Sequence, residues 1–352
     1  MSLLLLEGLD RQRFDVEMYV HERLPVQFDP DPRFQDDVIY GRVGEYNRRD
    51  LFHHLTQTIR RARRADVVVG VAEGRASGLA LLAGLVARRP VVLWLHADWS
   101  RFAAVLSWRV KATMRAFRRA AVIVACSDGV AQSHAAAFPE NRPLLRVITN
   151  GIDVAQVKAR AAEPLPPEAL ALFARPTVVA VGRLNRQKGF DLLIAAHAKA
   201  RQMGADHELV ILGEGDERGA LTELAAQLGV SASVHLLGFQ ENPYRFMARA
   251  TLFASSSRFE GFGLVIAEAL ACKAPTVAFD CPSGPAEILD GGTYGALVPP
   301  QDVGAMAEAI AQLLGDPDRR EALADSGPGR ARAYDVAAFA QGWGRLLDEV
   351  AA

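Results

Sequence analysis

Cysteine is scarce in this 352-residue chain: Cys126, Cys272 and Cys281 are odd in number and lack metal-ligand spacing. That excludes a disulfide framework and a zinc site, and it fits a reducing compartment such as the cytoplasm. Long apolar runs are missing too. The opening "MSLLLLEGLD" holds four consecutive leucines, with no basic lead-in and acids close behind. No later run approaches the roughly 20 residues of a membrane span, so neither an export signal nor a spanning helix is expected. Net charge is almost absent at −1, but it is unevenly spread. Residues 1–150 carry 22 Lys/Arg against 16 Asp/Glu, whereas 151–352 carry 18 against 25. A basic half suits nucleic acid, an anionic membrane or an acidic ligand, and charge alone does not choose among them. A basic motif interleaved with aromatics is also lacking, so no nucleic-acid partner is expected.

What is present is an ordinary globular composition, 50% apolar and 23% charged, at a length that suits two domains. Short apolar runs recur with helical segments between them: "DVVVGVA" near 66, "VVLWLH" near 91, "AVIVACS" near 121 and "LLRVITNG" near 144. Runs of this kind predict a parallel sheet covered on both faces. The pattern returns after 175 in "TVVAVGRL", "ELVILGEG", "VHLLGF", "LFASSS" and "TVAFD", which predicts a second α/β domain of similar build. Asn150-Gly151 is a turn signal and prolines cluster at 164–167, so the expected division is a first domain over 1–155, a linker over 156–172 and a second domain over 173–334. Apolar residues at 336, 339, 343, 346, 347 and 350 predict a docked terminal helix over 335–352.

The chemistry-bearing residues cluster in "SSSRFEGFGLVIAEALAC". The helix expected from "GLVIAEALAC" is apolar on nearly every side, and a lone carboxylate there, Glu268, is costly unless something hydrogen-bonds to it. A ligand's paired hydroxyls would do so; the alternative is a solvated helix edge or a backbone partner. Glu260 is also compatible with the ordinary preference for acids near helix N-termini. Gly261, Phe262 and Gly263 lead into the helix, whose free N–H groups and positive dipole end suit a phosphate. In "VGRLNRQKGF", Arg183 and Lys188 follow a strand and approach a helix start, where two cations suggest a diphosphate; either alone reads equally as a solvated loop charge. "ILGEGDE" places Gly213 and Gly215 after a strand, but without the third glycine of a dinucleotide fingerprint. His96 ends "VVLWLH", and a solitary histidine is more often structural than catalytic. Asp29-Pro-Asp31 and Asp316-Pro-Asp318 read as turns rather than metal sites. The segment 101–121 mixes Arg101, Arg109, Lys111, Arg115, Arg118 and Arg119 with Phe102, Leu106, Trp108, Val110 and Phe117, as a helix lying on an anionic membrane or presenting a solvated face would.

Together "VITNGID", "VGRLNRQKG", "LGEGDER", "LLGF", "EGFGLVIAE" and "DCPSGPAEIL" resemble the retaining glycosyltransferases of family four, along nearly the whole chain. The resemblance implies an α/β fold of two Rossmann-like domains facing across a cleft (GT-B), with the C-terminal helix docking back on the first. It implies a hexose or N-acetylhexosamine donor linked to a nucleoside diphosphate, commonly UDP, and a lipid-linked or polysaccharide acceptor in bacterial surface glycan synthesis. The donor is a co-substrate; no cofactor and no metal are expected. By the same resemblance, Arg183 and Lys188 bind the diphosphate, Glu268 holds the ribose hydroxyls and Glu260 lies by the transferred sugar. Gly261, Phe262, Gly263 and Leu264 would supply backbone amides, Gly213, Gly215 and Phe239 would line the donor site, and His96 would reach the sugar from the other domain. The enzyme would act in the cytoplasm, with peripheral contact at the membrane's inner face through 101–119.

One departure stands out. Family members open with a strand and a glycine-rich loop before a first helix, whereas "MSLLLLEGLDRQRFDVEMYV" reads as the second half of that helix followed directly by the next strand. The expectation is that translated sequence upstream of Met1 supplies the missing strand. A degenerate, non-catalytic nucleotide-sugar-binding partner is the competing reading. A sugar-nucleotide epimerase on the same architecture fits the "EGFGLVIAE" arrangement less well.

Overall fold

The computed structural model describes residues 2–20, 38–40, 48–71, 73–99 and 107–352. The chain divides into two compact units, Met1–Gly151 with Val336–Ala352, and Ile152–Asp335.

The first unit opens with α1 (Ser2–Gly8), followed by β1 (Met18–Val20) and β2 (Val38–Tyr40), which pair in parallel with Met18 opposite Val38. After α2 (Arg48–Ala62) come β3 (Val68–Val71), α3 (Arg75–Ala87), β4 (Val91–Leu95), α4 (Trp108–Ala116), β5 (Val122–Ala125), α5 (Asp128–Ala137) and β6 (Leu145–Val147). Strands β3 to β6 form a four-stranded parallel sheet in sequence order. Every residue of β4 is buried, which is why "VVLWL" shows no alternation: helices cover both faces of a parallel sheet.

The second unit holds α6 (Val154–Ala161), β7 (Thr177–Val181), α7 (Phe190–Gln202), β8 (Glu208–Leu212), α8 (Arg218–Gln227), β9 (Val234–Leu236), α9 (Tyr244–Met247), β10 (Leu252–Ser255), α10 (Leu264–Ala271), β11 (Thr276–Phe279), α11 (Pro285–Ile288), β12 (Ala296–Val298), α12 (Val303–Gly315) and α13 (Pro317–Ala331). Its six strands are all parallel, in the order β12-β11-β10-β7-β8-β9. This is the doubly wound order in which two halves run outward from a shared centre. The last helix, α14 (Val336–Ala351), belongs to the first unit. There Phe339 and Trp343 pack on Trp94 with ring centroids 5.8 and 4.7 Å away, and a Cβ on Gly8 of α1 would come within 2.7 Å of Ala340 Cβ.

Two expectations need correction. The segment 156–172 is not a linker: Val157 and Ala161 are buried on α6, and Leu165 and Ala169 join Val179, Val210, Leu212 and Phe246 in one apolar cluster. The prolines follow the end of α6 at Ala161, Pro167 opens a 3-10 turn over Pro167–Ala169, and the change of unit falls at Gly151–Ile152. The basic helix is shorter than 101–121. It starts after Ser107, whose Oγ accepts from Val110 N, and ends in a 3-10 turn over Phe117–Arg119; residues 101–106 lie outside the described residues. Asp29 and Asp31 lie outside them too, whereas Asp316 caps α13 by accepting from Arg319 N at 2.9 Å.

Candidate functional site

At the centre of the second sheet, β7 and β10 lie side by side, and the connections leaving them run in opposite directions. Loops at the carboxyl ends of two such strands diverge and leave a crevice, the usual ligand position in open α/β sheets. Arg183 and Lys188 lie on the loop after β7, and Glu260, Gly261, Phe262 and Gly263 on the loop after β10.

Several bonds latch these two loops together. Arg258 N donates to Gln187 O at 2.8 Å, Gln187 Nε2 to Phe259 O at 3.1 Å and Ser256 Oγ to Lys188 O at 2.9 Å. The Arg258 guanidinium forms a two-pronged pair with Asp191 of α7, at 2.8 and 2.6 Å, and also donates to Arg186 O at 3.0 Å. A planar fork on a carboxylate sets orientation as well as distance, so each loop fixes the other.

Inside the latch, Lys188 Nζ and Ser257 Oγ both donate to Glu260 Oε1 at 2.6 Å. The pair is well covered, with side-chain exposures of 17% for Lys188 and 7% for Glu260. An ammonium has three donors, so Lys188 keeps two for another anion. Arg183 is exposed, and among the described residues it makes no ion pair. Helix α10 is entered through Gly263, whose φ of 91° is a left-handed conformation that suits glycine and where a Cβ would lie 3.7 Å from Glu260 Cγ; in its first turn Ile266 N donates back to Gly263 O at 2.9 Å. Leu264 is its first residue.

One helical turn further on, Glu268 accepts a hydrogen bond from Tyr244 Oη at 3.1 Å. Burial raises the pKa of its carboxyl, opposed by the Tyr244 hydrogen bond and the nearby Lys188 charge. The same burial, with the Glu268 charge next in size, raises that of the Tyr244 phenol.

Other expected donor-site residues sit less directly. The Phe262 side chain is buried against Tyr334, with ring centroids 5.2 Å apart, so only its backbone can face a ligand. Gly213 and Gly215 have a packing reason to be glycine: a Cβ on Gly213 would lie 1.8 Å from Gly182 O, and one on Gly215 2.3 Å from Leu184 O. Phe239, by contrast, stands 75% exposed just past β9. His96 belongs to the first unit, where it follows β4 with its backbone N–H, like that of Ala97, donating to Glu73 Oε1. Burial lowers its pKa to about 4, so the imidazole is neutral near pH 7.

Sequence reading missed Tyr244, Ser257, Glu73 and the Arg258–Asp191 pair. Ser257 lies three residues before Glu260 and was within reach of local reasoning. Arg258 and Asp191 lie 67 residues apart, and only the β7–β10 pairing unites them.

Residues 2–156 match the family described as Glycosyltransferase Family 4, and residues 170–330 match Glycosyl transferases group 1. The chain belongs to the family-4 glycosyltransferases. It is 34% identical over 195 residues to N-acetylgalactosamine-N,N'-diacetylbacillosaminyl-diphospho-undecaprenol 4-alpha-N-acetylgalactosaminyltransferase of Campylobacter jejuni, covering 55% of this chain and 51% of that one. To the alpha-D-kanosaminyltransferase of Streptomyces kanamyceticus it is 29% identical, over 82% of this chain and 78% of the other. The chain thus spans about half of the first relative and most of the second. Its fold is that of Anabaena Alr3699/HepE, solved in complex with UDP, at a TM-score of 0.78 and 23% identity over 90% of this chain and 87% of that one. It is also that of the lipopolysaccharide outer core galactosyltransferase WaaB, at a TM-score of 0.72 and 16% identity over 99% and 94%. Both units of this family-4 chain are parallel-sheet, Rossmann-like α/β folds, and the solved neighbours share the GT-B fold.

Proposed function

We propose that this family-4 chain transfers a hexose or N-acetylhexosamine, with retention and without a metal, from a UDP-linked donor to a lipid-linked or polysaccharide acceptor in bacterial surface glycan synthesis. The observation that supports this reading is Lys188 held against Glu260 beside the β7–β10 switch point, with Glu268 a helical turn into α10 and Arg183 on the same loop as Lys188. Cations and first-turn amides suit a diphosphate, and a carboxylate a turn away suits the ribose diol. Departure of the nucleoside diphosphate builds negative charge, which donors already held in place stabilise with little reorganisation. Lys188 offers its two remaining N–H groups to the leaving phosphate while its third holds Glu260, whose carboxylate then positions the transferred sugar. Gly261 to Leu264 contribute backbone amides, Gly213 and Gly215 let the flanking loop pack closely, and the exposed Phe239 ring offers a stacking face to the base. His96, neutral at working pH, is assigned to the sugar as a hydrogen-bonding group.

The activities of its relatives support this direction: the Campylobacter jejuni enzyme acts on a diphospho-undecaprenol-linked acceptor, and a Rhizobium meliloti relative, 36% identical over 185 residues, is a lipopolysaccharide core biosynthesis glycosyltransferase. With an acceptor of that kind the protein would act in the cytoplasm at the inner membrane face. There Trp108, 74% exposed, and the basic residues of α4 and the following turn would meet anionic lipid. The test is transfer of labelled sugar from UDP- and GDP-linked donors to a bacterial lipid fraction, with product anomeric configuration read by NMR and chelator added in parallel. Labelled lipid with the donor's configuration, insensitive to chelator, is expected. Binding of UDP without transfer across the panel would point to a non-catalytic partner, and absence of both would overturn the reading.

A further inference from the structure

Tyr244 opens the short helix α9, and its ring is gripped from several sides. Asn242 Oδ1 accepts from Tyr244 N at 3.2 Å, while Asn242 Nδ2 donates to Arg160 O at 2.8 Å and to Glu163 Oε2 at 2.9 Å, tying the turn to the end of α6. The Arg160 guanidinium lies 5.8 Å from the centre of the Tyr244 ring and donates to Glu241 O at 2.7 Å. So held, the ring aims its hydroxyl at one oxygen of Glu268.

A glutamate has three rotatable bonds, and a terminal carboxylate turns freely unless something holds it. Taking two adjacent hydroxyls requires both oxygens in one plane and at one height. A donor fixed to Oε1 removes that freedom and leaves the other acceptor positions of the carboxylate open. Besides Tyr244, the Lys188 charge from the loop after β7 acts on Glu268, and the thiol of Cys272, just past the end of α10, is pushed up by burial to about 12 and so stays neutral. Among the described residues, the Tyr244 phenol is the side-chain group hydrogen-bonded to that carboxylate.

We propose that Tyr244 is a positioning residue that orients the Glu268 carboxylate toward the paired ribose hydroxyls of the donor nucleotide, and so sets the preference for a ribonucleotide. This rests on the reading of the crevice as the donor site. Tyr244 touches no substrate in this assignment; it acts through Glu268.

The experiment measures calorimetric Kd values for UDP, GDP and their 2′,3′-dideoxy counterparts with the full chain, comparing wild type, Tyr244→Phe and Glu268→Gln, with thermal melting of each variant. Wild type is expected to prefer the ribonucleotide. In Tyr244→Phe that preference shrinks roughly three- to tenfold, the scale of one ordinary net hydrogen bond, while dideoxynucleotide affinity stays at the wild-type value and the melting temperature falls by no more than the about 2–8 °C that one lost buried hydrogen bond costs. Glu268→Gln shrinks it further. Equal weakening of both nucleotide types in Tyr244→Phe would mean a general structural role and would overturn the proposal, as would an unchanged preference beside a clear Glu268→Gln effect. If wild type and Glu268→Gln show the same preference, the assignment of Glu268 to the ribose fails, and the role of Tyr244 fails with it.

Discussion

Replacing Lys188 by methionine tests how the centre of the donor site is held. The substitution keeps the length of the chain and removes the cation from Glu260, a carboxylate only 7% exposed at its side chain. What remains on Oε1 is the Ser257 hydroxyl at 2.6 Å. Breaking a buried ion pair from one side costs about 3–5 kcal/mol, because a charge is left uncompensated. The 17% exposure of Lys188 puts this case at the low end, about 3 kcal/mol, since some water already screens the pair. In a domain of roughly 150–250 residues, that lowers Tm by about 6–12 °C. The affected unit is Ile152–Asp335, so calorimetry should show one transition moved and the transition of the first unit unmoved. Lys188→Met/Glu260→Gln removes both charges and should regain most of the loss in Tm, yet bind UDP no better than the single variant, because the cation facing the phosphate is still gone. Melting of the single variant at the wild-type temperature would show that the pair is screened like an exposed one and worth close to nothing. A double variant as unstable as the single would show that the stranded carboxylate is not the cause.

Two further expectations follow from burial and charge. His134 and His197 are fully buried, and burial lowers their pKa values to about 4 and about 3. A folded-state pKa below the unfolded value near 6.5 means that the unfolded chain binds more protons in between. Stability is therefore complete above about pH 6.5 and is lost as pH falls toward 4, by on the order of a few kcal/mol. A Tm that stays flat between pH 6.5 and 5, above the ordinary carboxylate range, would contradict this. At the first unit's surface, Trp108→Ala and a joint Arg118→Glu/Arg119→Glu variant should each reduce sedimentation with anionic vesicles and leave UDP affinity unchanged; equal binding of wild type to neutral and anionic vesicles would rule out the basic face as the membrane contact.

How much of this was legible depended on the range of the interaction. The buried strands announced themselves: "VVLWL", and "LVIL" after Glu208 in β8, are apolar without alternation because helices cover both faces of a parallel sheet, and all five residues of each strand are buried. The eight-residue spacing of Glu260 and Glu268 was readable because a turn and one short helix carry both. The proline-rich segment after 160 misled, since proline reports where a helix ends and says nothing about whether Leu165 and Ala169 find apolar neighbours. Gly213 and Gly215 read as half of a dinucleotide fingerprint, and the structure adds a packing reason for glycine at both positions, the close backbone of Gly182 and Leu184.

The sequence by itself determined that there are two parallel α/β units, which segments are strands, and that acids and cations of a phosphate-sugar kind follow particular strands. These are properties of neighbours along the chain, written in periodicity and in the residue types at strand ends. Only the tertiary structure decided that β7 lies against β10, and with it that Lys188 meets Glu260, that Arg258 clamps Asp191 and that Tyr244 reaches Glu268. Partners 24 to 72 residues apart leave no local trace, because periodicity records which face a residue turns to the core and not which strand will lie beside its own.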